Sequence, residues 1–118
     1  MIETTLNELI TVVSTYYNLN NKDLTGKSRK QHIANARQVY FYLARKHTNK
    51  TLSQIGSQVN RDHSTALHGI RMISNLKEIY SETNDELILI EQSIENPLIA
   101  KNIDLLAMCK SFAYEKNN

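Results

Sequence analysis

Three features of the sequence predict an all-α fold. Apolar residues recur at helical period along nearly the whole of its 118 residues. It contains only three glycines and one proline, too few for a chain of short strands joined by tight turns. Residues that cap helices also stand just ahead of several periodic segments. With 41% hydrophobic residues, this length suits one compact domain with a modest core and leaves little room for a second.

Leu6, Leu9, Ile10, Val13 and Tyr17 form one apolar face and predict a first helix over residues 2–17. Asn18 to Asn21 break it, and Asp23-Leu24 begin a short turn closed by Gly26. A long helix is expected at about 30–46, with Ile33, Ala36, Tyr40, Leu43 and Ala44 inward. Thr51 is placed to cap a short helix at 52–58 that holds Leu52, Ile55 and Val59. Asn60 to Asp62 then form a tight turn, and a fifth helical segment runs from about 63 to 79. Thr83, with Glu86 three residues on, resembles a capping box for a helix at 84–95. Asn96-Pro97 is another start signal, and a last helix at 97–114 would bury Leu98, Ile99, Ile103, Leu106 and Ala107.

The charge is strongly polarised. Residues 24–77 carry ten Lys/Arg and a single acid, Asp62, for a net +9, whereas residues 1–23 come to −2 and residues 78–118 to −5. The whole-chain value of +2 conceals this separation. A basic block of this kind usually meets phosphate. The lone Cys109 cannot form an internal disulfide and reads as ordinary packing. No basic start marks a signal peptide and no apolar stretch approaches a membrane span, so the cytoplasm is the expected compartment and no membrane partner is expected.

A short helix, a tight turn and a longer helix at 52–79 suit a helix-turn-helix, whose second helix enters the major groove of DNA. On that second helix Ala66, Ile70 and Ile73 cluster on one side, and Ser64, His68, Arg71 and Asn75 form a stripe opposite. Hydrogen-bonding and cationic groups are what base edges and phosphates require, although any surface helix has a polar stripe. Read in order, Ile55-Gly56-Ser57-Gln58-Val59-Asn60-Arg61-Asp62-His63-Ser64-Thr65-Ala66-Leu67-His68 closely resembles the signature of the C-terminal DNA-binding domain of the bacterial replication initiator DnaA. Tyr16-Tyr17, Asp23-Leu24, Lys27, Arg29, Ala36-Arg37-Gln38, Thr48-Asn49 and Leu52 agree at matching spacing, so the resemblance covers roughly residues 4–95.

The resemblance implies a Trp-repressor-like, DnaA domain IV-like helical domain over residues 1–95, followed by an additional C-terminal helix and polar tail over 96–118. It implies base contacts from Asp62, His63, Ser64 and Thr65 in the major groove and from Arg29 in the minor groove. An Asp can accept from a cytosine amino group, a Thr methyl suits a thymine methyl, and an Arg suits a narrow A·T groove. Arg37 and Arg45 match backbone-clamping positions, and Lys27, Lys50, Arg61, His68 and Arg71 are further candidates for phosphate. The family reads an asymmetric duplex box of the TTATCCACA type. Each role has a plainer rival. Asp62 could act as a helix cap, alone or as well, and His68 could simply face solvent. Tyr16, Tyr17, Tyr40 and Tyr42 suit packing better than a stacking platform, with Tyr42 the more exposed of the last two.

No cofactor, metal or nucleotide is expected. His63 and His68 lack a third ligand, and no Gly-rich phosphate loop ending in Gly-Lys-Ser/Thr supports the initiator's ATPase chemistry. Ser64 and His68 have no acid to orient the histidine, so the chain is not expected to be an enzyme. Several positions depart from the family pattern. Gly69 replaces the usual Ala or Ser, at a cost of up to about 1 kcal/mol in a helix unless another helix approaches closely there. Met72 stands where a charge is usual, Asn60 stands where some relatives have two glycines, and Gln31 and Asn35 are neutral. Weaker binding, or a changed preference at one or two bases, is therefore expected. The first helix, with Glu3 and Glu8 and no Lys or Arg, gives no support to a basic membrane contact.

The expected function is sequence-specific binding to initiator-box-like duplex DNA, in replication initiation or its regulation, without ATPase activity. The alternative is a protein-interaction module or transcriptional regulator that keeps the fold but not the box specificity. The apolar face of the 97–114 helix either packs back on the first helix or forms a homodimer or partner surface.

Overall fold

The structure, a computed structural model, describes residues 4–95. The expected helix at 97–114, with its Asn96-Pro97 start and Cys109, lies outside the described residues. Six helices run in order: α1 (Leu6–Tyr16), α2 (Asn21–Thr25), α3 (Gln31–His47), α4 (Leu52–Ser57), α5 (His63–Ile79) and α6 (Ser81–Glu95). No strand occurs among the described residues, and the all-α expectation holds.

Local chemistry sets most of the helix starts. Thr5 caps α1 by accepting from the Glu8 amide at 3.1 Å, while Glu8 accepts from the Thr5 amide at 3.4 Å. This reciprocal box starts the helix at Leu6 rather than at residue 2. Asn20 and Asp23 make the same exchange at 3.0 Å each way, so the segment expected as a turn is a five-residue helix, α2. Asn18, at φ 57°, turns the chain between them. Thr51 caps α4 as expected, paired with Gln54. The expected Thr83–Glu86 box does not form at a helix start. α6 begins at Ser81, one residue after α5 is closed by the extended Tyr80, and Thr83 lies inside its first turn.

α3 is the centre of the domain. Ala36, Tyr40, Leu43 and Ala44 are fully buried, and Ile33, Arg37, Val39 and Phe41 nearly so. One apolar cluster extends from Leu6 on α1 to Ile90 on α6 and includes residues of every helix. The Tyr40 hydroxyl donates to the Ile55 carbonyl at 2.8 Å, locking α4 to α3. Tyr42 is half-buried, with the Lys77 ammonium 3.2 Å from its hydroxyl. Two glycines permit close approaches. A Cβ on Gly56 would stand 2.6 Å from the Arg61 carbonyl oxygen, where the turn crosses back over α4. A Cβ on Gly69 would stand 2.7 Å from Phe41 Cδ2, so the glycine accommodates the close approach of α3 to α5.

α6 is held by its acids. Glu91 accepts from Lys46 at 2.8 Å and lies 2.9 Å from the His47 ring nitrogen, joining the last turn of α3 to α6. Partial burial would raise its carboxyl, but the Lys46 and His47 hydrogen bonds outweigh burial and hold it below the ordinary range. Burial, and then the charge of Glu86, push the Tyr16 and Tyr17 hydroxyls well above their usual value, which keeps them neutral donors beside that carboxylate.

Gly69→Ala should destabilise the domain by about 1–3 kcal/mol in urea unfolding. The clash with the buried Phe41 ring outweighs the roughly 1 kcal/mol gained in helix propensity. Greater stability of the alanine variant would contradict this packing. Glu91→Gln should cost about 0.5–1 kcal/mol at pH 7, a modest value because Lys46 is half-exposed. A depressed carboxylate stabilises above its unfolded pKa and ceases to do so as pH falls through its folded pKa. The deficit should therefore shrink below about pH 4.3 and vanish once wild-type Glu91 is protonated, a trend that unfolding curves across pH would reveal.

Candidate nucleic-acid interface

The turn before α5 sets the geometry of the site. Asn60 adopts φ 59°, a left-handed conformation that asparagine tolerates, and so closes the turn without a glycine. The Arg61 amide donates to the Gly56 carbonyl at 2.9 Å, bringing the chain back over α4. Asp62 then sits at the α5 N-cap and accepts from the Thr65 amide at 2.8 Å. That amide, then the Thr65 side chain and the nearby His63, hold the Asp62 carboxyl below its ordinary value. Asp62 is thus a cap, as the plainer reading expected, and it remains solvent-exposed.

His63, Ser64 and Thr65 form the exposed first turn of α5 beside it. His68, Arg71 and Asn75 continue the exposed side along the helix. Ala66, Gly69 and Ile73 are buried on the other side and Ile70 is half-buried, which matches the two-sided pattern of the sequence. Met72 is also on the surface, 37% exposed.

Lys27 and Arg29 lie exposed in the loop between α2 and α3. Lys30, which the sequence reading did not single out, is exposed at the N-cap of α3 and makes no capping bond. α1, α2, α4 and α5 all have side-chain caps, so α3 alone of these five begins with uncapped amides. Three cations within residues 27–30 immediately precede that positive helix end, an arrangement that attracts an anion. The adjacency of Arg29 and Lys30 was the available sequence signal. Arg45 is exposed on the last turn of α3, and Lys50 on the α3–α4 loop.

Arg37 and Arg61 stand apart from these exposed cations. Arg37, expected at the DNA backbone, is 6% exposed. Its Nε donates to the Leu24 carbonyl at 2.9 Å, and its Nη2 lies 3.3, 3.5 and 3.4 Å from the carbonyls of Asp23, Gly26 and Ser28. These bonds commit most of the guanidinium to the loop and leave Nη1 as the nitrogen without a described hydrogen bond. Burial, and then the neighbouring Arg61 guanidinium, pull its pKa down from the ordinary value. Arg61 is half-buried and donates to the carbonyls of Val59, Asn60 and Gly26. The periodicity of α3 gave no warning, because Arg37 lies beside its apolar stripe and matches a family arginine.

Among the described residues no helix is long and apolar enough to cross a membrane, and no three His, Cys, Asp or Glu side chains gather as a metal would need.

Comparison with known proteins agrees with this geometry. The family model for the bacterial DnaA protein helix-turn-helix matches residues 6–73. The chromosomal replication initiator protein DnaA of a Ruegeria species is 36% identical over 92 residues, 77% of this chain and 20% of the relative. The protein of the same name from Desulfatibacillum aliphaticivorans is 44% identical over 69 residues, 58% of this chain and 15% of the relative. That of Flavobacterium psychrophilum is 39% identical over 75 residues, 63% and 16%. The chain thus spans a fifth or less of the length of these relatives. With its helices, turn and glycine-mediated close approaches in place, the chain belongs to the bacterial DnaA helix-turn-helix family, a DNA-binding domain.

Proposed function

We propose that the chain binds duplex DNA sequence-specifically at a short box of the kind read by replication initiators, and acts in replication initiation or its control without hydrolysing nucleotide. The observation that carries this reading is the exposed Asp62–Thr65 turn, pre-organised by the Asp62 cap at the start of a helix whose opposite side is buried. In the major groove Asp62 accepts from a cytosine amino group, His63 bonds or packs on a base edge, and Ser64 and Thr65 supply a hydroxyl and a methyl. Arg29, reaching from its loop, suits the negative potential of a narrow A·T minor groove. Lys27, Lys30, Arg45, Lys50 and Arg71 neutralise phosphate and His68 donates to it, while Arg61 and the Nη1 of Arg37 have at most a partial share.

Six of the ten basic residues in the central block, Lys27, Arg29, Lys30, Arg45, Lys50 and Arg71, are exposed and make no ion pair among the described residues. Arg37 and Arg61 serve loop carbonyls, Lys46 serves Glu91, and Lys77 lies on Tyr42. The salt dependence of binding should therefore have a slope of about −5, not the roughly −9 that ten phosphate contacts would give. Arg45→Ala should weaken binding to every duplex and reduce that slope by about one.

The reading is tested by fluorescence anisotropy at about 150 mM salt with a TTATCCACA-type duplex and a scrambled one. A preference on the order of 10³ is expected, and equal affinity for both would overturn box specificity. Asp62→Asn separates capping from base reading, because asparagine caps as well as aspartate. The variant should unfold at the wild-type temperature yet change discrimination at one base pair by about tenfold or more. Unchanged discrimination would leave Asp62 as a cap alone.

A further inference from the structure

α2 has only five residues and cannot satisfy its own C-terminal carbonyls. Side chains from two other elements do so instead. From α3, Arg37 bonds the carbonyls of Asp23, Leu24, Gly26 and Ser28. From the turn before α5, Asn60 Nδ2 donates to the Thr25 carbonyl at 2.9 Å, and Arg61 Nη2 donates to the Gly26 carbonyl at 2.8 Å. Residues 23–26 and Ser28 therefore all have a carbonyl held from outside their own helix. Arg29 directly follows the last anchored carbonyl, and Asp62 directly follows Arg61. The two segments proposed to read bases thus emerge from one cross-linked patch of backbone.

We propose that Asn60 is a specificity-positioning residue: its side chain ties the turn before the recognition helix to the Arg29 loop and fixes the spacing between the two base-reading segments before DNA arrives. The proposal rests on the DNA-binding reading above. It gives a role to a residue that stands where some relatives have two glycines, since glycine can supply the left-handed backbone but no donor to Thr25. Arg61 completes the tie through Gly26, and Arg37 supports the same loop from beneath.

Asn60→Gly is the informative variant, because it keeps the positive φ and removes only the side chain. Amide order parameters of Lys27, Arg29 and Lys30 in the free protein should fall from about 0.85 toward 0.6, with those of Ser64 to Ala66 unchanged. Affinity for the box duplex should fall roughly threefold to tenfold, as expected for a lost hydrogen bond and lost pre-organisation. In an Arg29→Ala background the same substitution should cost clearly less than in the wild type, because the loop then acts only through the phosphate contacts of Lys27 and Lys30. Should the glycine variant lose its fold, Asn60→Asp, which tolerates the turn but lacks the donor, replaces it. An unchanged loop in both variants, or affinity losses that simply add, would overturn the positioning role. A mobilised loop with Arg29→Ala binding as tightly as wild type would overturn instead the base contact assigned to Arg29.

Discussion

The close approach of α3 and α5 at Gly69 is the constraint on which the rest of the domain depends. Phe41 is 1% exposed and occupies the space where a Cβ on Gly69 would stand. The recognition helix therefore lies against its scaffold at a distance set by a missing side chain. The buried side chains on α5 are Ala66 and Ile73, and Ile70 and Leu76 pack half-buried against the same core. Neighbouring positions on α3 set the remaining parts: Tyr40 bonds the Ile55 carbonyl of α4, and Arg37 holds the carbonyls of α2 and its loop. Since interiors are close-packed, a shift at any of these contacts would be felt at the exposed turn of α5.

Much of this architecture was legible in the sequence because local chemistry fixes it. The bounds of α5 follow from Asp62 as a cap and from the spacing of Ala66, Ile70 and Ile73. Thr51 with Gln54 announces α4 in the same way. Two start signals were misjudged for opposite reasons. Thr5 with Glu8 is a genuine capping box at the head of α1, whereas the apolar Ile2, four residues before Leu6, extends the helical pattern one turn too far back. Thr83 with Glu86 has the same pattern, but α6 already starts at Ser81, directly after the extended Tyr80, and leaves the pair inside the helix. Pattern alone does not tell a helix start from a position one turn in. Arg37 was illegible for another reason, since a basic residue in a basic block gives no hint that a short neighbouring helix will present unsatisfied carbonyls to it.

The polarised charge has two uses within one molecule. The acids of α6 are partly structural. Glu91 binds Lys46 and His47, and Glu86 lies beside Tyr16 and Tyr17, so the acidic end of the chain fastens α6 to α3 and α1. Part of the basic block is structural too. The pair Arg37 and Arg61 places like charges close together, which is tolerable only because both guanidiniums are bonded to carbonyl oxygens at the end of α2. A count of charges therefore overstates what remains for an anionic partner, and burial decides the difference.

The departures from the family pattern also divide once the packing is considered. Gly69 is the fit to Phe41 rather than a weakness, and Asn60 adds a bond that a glycine turn lacks. Gln31 and Asn35 bond one another at 2.8 Å on the exposed side of α3, and Met72 is a surface residue, so these three are the positions where cationic contacts are forgone. On the proposed reading their effect falls on phosphate attraction, a term shared by specific and non-specific duplexes. Forgoing it lowers affinity for all DNA and leaves the ratio between a box and other sequence to the Asp62–Thr65 turn and Arg29. A domain with fewer available cations but an intact reading turn thus binds all DNA more weakly, keeps its discrimination, and depends less steeply on salt.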